Sequence, residues 1–139
     1  MSADTGLMLR LHDGGLEVIL AALQAAGWGN RDGMTEYLPL HDDGMYNWQK
    51  TKLTQDEFSS VFCEKLRLHE IVGVILYYRN TETGIMFLTQ DAKEIQFGLD
   101  IGRRTIADGI TDVSWYLEHV VLPLKRAGFR VDSMEFREM

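Results

Sequence analysis

The residues able to do chemistry in this 139-residue chain are few and scattered. Its four histidines, His12, His41, His69 and His119, form no HxxxH, HxH or HExxH spacing. His41-Asp42-Asp43 offers three potential ligands in one loop, and Glu118-His119 offers two on a helix. Neighbours on a helix point about 100° apart and chelate poorly, and a zinc centre needs three or four placed ligands. The pattern predicts no metal site and no cofactor. The single cysteine, Cys63, stands between Phe62 and Glu64. It is expected to face the core and be inert, because an adjacent carboxylate disfavours a thiolate. Ser59, Ser60 and Ser114 lack a GxSxG elbow, and the carboxylate pairs Asp42-Asp43, Asp56-Glu57 and Glu135/Glu138 have no tie to an apolar pocket. No catalytic residue is assigned, and the chain reads as a non-enzyme.

Charge restricts the partners. Net charge is −7, with nine acidic against four basic residues up to Ser60 and twelve against ten beyond it. Such a chain repels nucleic acid and anionic membrane, and suits a basic protein or a small cation. Arg103-Arg104 beside Gly102, and Gly14-Gly15 before a helix start, are the weak phosphate cues. They match neither GxxxxGK[ST] nor GxGxxG, and the arginines are expected to pair with nearby acids. No apolar run approaches the roughly 20 residues of a membrane span. The opening residues lack a signal-peptide pattern, and one cysteine suits a reducing compartment, so a cytoplasmic location is expected.

The elements that must position these residues are organised around Ile71–Gln90. Two apolar runs, Ile71–Tyr78 and Ile85–Thr89, flank a polar joint ending in Gly84, which predicts an antiparallel hairpin at the sheet centre. Leu7–Leu11 reads as a first strand. Leu16–Trp28 places Leu16, Ile19, Leu20, Leu23 and Ala26 on one helical stripe, with Asp13 as cap and Gly27 as stop. Thr54-Gln55-Asp56-Glu57 matches a capping box, opening a helix to about Leu68 with Phe58, Val61, Phe62 and Leu66 inward. Lys93–Leu99 and Phe129–Phe136 alternate as strands. Asp112 caps a helix over Val113–Ala127, which Pro123 should kink or end. Val74, Leu76, Phe87 and Trp115 are expected in the core. The fold class expected is a single α+β domain, a mostly antiparallel sheet packed with two to three helices.

Gly29–Asn47 is different in kind, a long breaker-rich segment with a short strand near Glu36–Leu40, followed by a strand over Tyr46–Lys52. Loops of this length are uncommon unless functional or mobile. It gathers Asp32, Glu36, Asp42 and Asp43 beside Tyr37, Tyr46 and Trp48, and these seven are the candidate partner-binding residues.

The acidic aromatic loop Tyr37–Asp43, the following Trp48, the run Glu70–Val74 and the helix start Asp112–Leu117 together resemble small acidic immunity proteins of bacterial toxin–immunity systems, including contact-dependent inhibition. The resemblance covers most of the chain in general pattern. It implies a non-enzymatic protein that binds one cognate, basic toxin domain and blocks it. The alternative is a small-molecule-binding or regulatory α+β domain with a pocket between sheet and helices.

Overall fold

The computed structural model describes residues 5–42 and 44–138. The strands are β1 (Gly6–Leu11), β2 (Trp28–Gly29), β3 (Thr35–Tyr37), β4 (Gln49–Thr51), β5 (Val72–Tyr78), β6 (Gly84–Thr89), β7 (Glu94–Gly98) and β8 (Val131–Arg137). They form one antiparallel sheet in the order β4-β3-β5-β6-β7-β1-β8, and β2 pairs with β5 as well. The helices are α1 (Leu16–Ala25), α2 (Gln55–Arg67), and a third over 113–126 made of α3 (Val113–Tyr116), a π-helical stretch (Leu117–Val121) and α4 (Leu122–Arg126). This is the α+β architecture expected, with the 71–90 hairpin at its centre as β5 and β6.

Strand alternation divides the sheet into two unlike faces. Leu7, Leu9 and Leu11, Val72, Val74 and Leu76, Ile85 and Phe87, and Ile95 and Phe97 share one core with inward residues of all three helices. The other face carries no helix. On it lie Met86 and Leu88, which with Leu38 form a separate small core under Tyr46, Trp48 and Ile71.

The third helix continues through Pro123 rather than ending there. Proline has no N–H to give the carbonyl four residues back, that of His119. The turn widens, with Leu122 N–H reaching Leu117 O. The His119 carbonyl instead accepts from Trp28 Nε1 at 2.7 Å. Trp28, Tyr78 and Trp115 meet edge to face, and His119 stacks on Trp115 with ring centroids 4.3 Å apart. Trp115 is half-buried at the margin of the core, while Val74, Leu76 and Phe87 are fully inside it.

Several local expectations are corrected. Asp13 does not cap α1. Gly15 holds that position with φ 155, and no side chain caps the helix. The helix stops at Ala25, so that Trp28 belongs to β2. The strand expected over Tyr46–Lys52 shrinks to Gln49–Thr51, because Tyr46 adopts φ 55. The capping box at Thr54 and Glu57 and the cap at Asp112 are present. In α2, Phe62 is buried and Phe58, Val61 and Leu66 are half-buried. Cys63 is exposed rather than core-facing, and the residue buried beside Phe62 is Lys65. Arg103 does pair with an acid, Glu138, at 3.6 Å. Arg104 donates to Thr83 Oγ1 and lies over the Trp115 ring.

Candidate binding face

The helix-free face is built from two rows of paired positions. One crosses the strands as Lys50, Glu36, Ile75, Met86, Gly98, Gly6 and Arg137. The next runs Gly73, Leu88, Gln96, Met8 and Glu135. The chain after β3 folds back over part of this face. Gly73 makes that possible, since a Cβ there would come within 2.7 Å of Leu38 Cδ1. Leu38 seats directly on the backbone of β5, and its N–H bonds Gly73 O at 3.0 Å.

Lys65 pins the folded-back segment. Its Nζ is fully buried, donating to Pro39 O at 2.6 Å and to Glu70 Oε1 at 3.3 Å. Glu70 also accepts from His41 N–H at 2.8 Å, and its other oxygen lies 3.3 Å from His41 Nδ1. Burial pushes the Glu70 carboxyl up, but the His41 N–H and the Lys65 ammonium outweigh it and hold it below its ordinary value. A buried ammonium with a carboxylate and a carbonyl around it is a satisfied ion, and it fixes the position of what it binds.

The seven candidate residues do not form one surface. Asp42 is buried, and its carboxylate accepts from the backbone N–H of Tyr46 at 2.7 Å and of Asn47 at 2.9 Å. It is the internal brace of the loop. Asp43 lies outside the described residues. Tyr37 alternates onto the helix side and packs against the main core. Asp32 is exposed at a tight turn, where Asp32 and Gly33 both have positive φ and Arg31 bridges Met34. Glu36, Tyr46 and Trp48 do share the helix-free side. The Tyr77 hydroxyl donates to Glu36 at 3.4 Å, and Arg31 lies 3.8 Å over the Tyr77 ring. Burial, then the Glu36 charge, raise the Tyr77 pKa against the opposing pull of Arg31. The Trp48 indole N–H is buried with no hydrogen-bond partner among the described residues.

Two clefts open on this face. One of ≈ 260 Å³ lies against Tyr46, Ile71 and Leu88, with Asp91 and Glu94 beside it. A second, ≈ 70 Å³, is floored by Gly6 and Gly98 between Met8 and Met86, with Glu135 and Arg137 at its edge. The face therefore has an apolar centre and a charged rim of Glu36, Asp91, Glu94 and Glu135 with Lys50, Arg10, Arg31 and Arg137, in which Arg10 pairs with Glu94 at 2.8 Å. Among the described residues, no group of His, Cys, Asp or Glu is arranged to hold a metal, and no helix is long and apolar enough to cross a membrane.

Sequence reasoning missed Lys65, Glu70 and the row Leu88–Gln96–Met8 with Met86 in the row beside it. Lys65 carried one signal, its position three residues after Phe62 on the buried stripe of α2. The row is visible only once strand register is known. No protein-family model matches the chain, and no curated protein or solved structure is significantly similar to it.

Proposed function

We propose that this protein is a non-enzymatic binding protein that neutralises a basic toxin domain, in the manner of an immunity protein, and that the helix-free face carries the contact. The supporting observation is the segregation of all three helices to one side. The opposite side keeps an apolar strip of Met8, Met86 and Leu88 within a charged rim, on a chain whose net charge is −7. An apolar centre within a polar rim is the usual anatomy of a protein interface. A rigidly pinned loop presents it with little ordering cost on binding. Acidic charge steers a basic partner and shapes its on-rate. The cytoplasmic location belongs to the same reading.

The experiment is isolation of the partner from the native host, followed by titration with the parent protein and with Glu36→Lys/Glu135→Lys. A basic partner, bound one to one, should lose about tenfold or more in affinity to the double variant and show a weaker salt dependence. Unchanged affinity and unchanged salt dependence would remove this face from the mechanism.

A further inference from the structure

On the opposite side of the sheet the strand order contains a gap. Gly29 pairs with Tyr77 and Glu36 with Ile75, so residues 30–35 stand opposite Leu76 alone. The excursion carries the tight turn at Asp32-Gly33 out of the sheet and leaves Leu76 uncovered by a paired neighbour. Beneath α1 and α2 a cleft of ≈ 250 Å³ opens at that point. Its apolar part is Val74 and Leu76 on the sheet with Leu53 and Phe58. The Phe58 ring is held by Phe62, 4.2 Å away centroid to centroid. The groove continues between the helices as a further ≈ 110 Å³ that shares Gln24, Gln55 and Phe58.

The polar lining has an unusual composition. A quarter of the chain is charged, yet none of the residues lining the ≈ 250 Å³ cleft is ionisable; Glu17 and Cys63 enter only in its continuation between the helices. The polar groups are the carboxamides of Gln24, Asn30 and Gln55 and the hydroxyls of Thr35 and Thr54. The three carboxamides, all on exposed residues, and the hydroxyl of Thr35 make no side-chain hydrogen bond among the described residues, which leaves them open to a ligand in place of water. Each carboxamide offers both donors and an acceptor. An anionic or cationic ligand entering here would lose water and find no counter-charge. A neutral ring with donors and acceptors on its edge would find an aromatic wall, an aliphatic floor and a rim of matching groups, as Asn and Gln pair with base edges elsewhere. The volume lies just below that of pockets for drug-sized ligands, which limits the occupant to one or two rings. We propose that this cleft is a binding site for a small, uncharged heterocycle of the nucleobase or aromatic-amide kind. It is independent of the protein interface, which uses the other face.

The test is titration of the isotope-labelled full chain with uracil and with nicotinamide, reading the side-chain NH2 signals of Gln24, Asn30 and Gln55. Toluene and benzoate serve as controls of similar size. Saturable shifts with a heterocycle, unaffected by added salt and absent with both controls, are expected. Gln24→Ala/Gln55→Ala, at exposed helical positions, should keep the parent melting temperature and bind about tenfold more weakly, the loss expected for two neutral hydrogen bonds. No saturable shift with either heterocycle, equal shifts with toluene or benzoate, or full affinity in the double variant would overturn the assignment.

Discussion

Trp28 Nε1 donates to the carbonyl oxygen of His119 at 2.7 Å, across 91 positions of sequence. The bond takes up a carbonyl that Pro123 leaves without its α-helical donor. It couples the short strand β2 to the widened turn of the third helix.

Trp28→Phe should therefore cost about 1–3 kcal/mol, the range for a buried acceptor left unpaired. Denaturant unfolding gives the value. In a Pro123→Ala background the same change should cost less, because the alanine supplies a backbone N–H to the His119 carbonyl. A double-mutant cycle reads the difference, and strict additivity would mean that the two sites are not coupled.

The legible parts of the fold follow local rules. The capping box at Thr54 and Glu57, the cap at Asp112 and the 71–90 hairpin each depend on residues close in sequence. The fate of Pro123 depended on Trp28, far away in the chain. Lys65 was illegible for a similar reason: its ammonium is buried only because Pro39 O and Glu70 meet it there. Among the candidate site residues, acidity marked the correct segment but not the direction of each side chain. Asp42 turned inward to its own backbone, and Tyr37 turned to the helix side because strand alternation placed it opposite Glu36.

The Glu70 carboxyl gives a pH signature. Its folded-state pKa lies below the ordinary value, so ionisation favours the folded state. That stability is fully present above about pH 5, above the ordinary carboxylate range, and is lost as pH falls through the depressed folded value. The parent should lose stability on acidification more steeply than Glu70→Gln over that window, measured by urea midpoints at successive pH values. Identical slopes would show that Glu70 holds no excess of favourable contacts.

Cys63 is exposed, yet its thiol is pushed up, first by partial burial and then by the Glu17 carboxylate 3.6 Å away. Less thiolate is present at neutral pH, and labelling by a thiol reagent should run slower than for the unfolded chain. Glu17→Gln should speed it, since the carboxylate's charge is removed and the exposure is kept. A rate in the parent equal to that of the unfolded chain would contradict the assigned environment.

Asp32 and Asp42 separate support of the loop from contact with a partner. Asp42 accepts two backbone N–H bonds and is 8% exposed, whereas Asp32 stands in solvent at a turn. Asp42→Ala leaves the Tyr46 and Asn47 donors without their acceptor, inside a loop whose left-handed Tyr46 is held by that contact. A loss of about 1–3 kcal/mol follows, the range for hydrogen bonds to a charged acceptor. Tyr46 and Trp48 pack on the same small core, so Trp48 fluorescence should change as the loop loosens. Asp32→Lys replaces a solvated charge and should leave folding within about 0.5 kcal/mol of the parent. Should Asp42→Ala unfold like the parent with unaltered Trp48 emission, the brace does not hold the loop. The helix-free face would then be shaped by Lys65 and Gly73 alone.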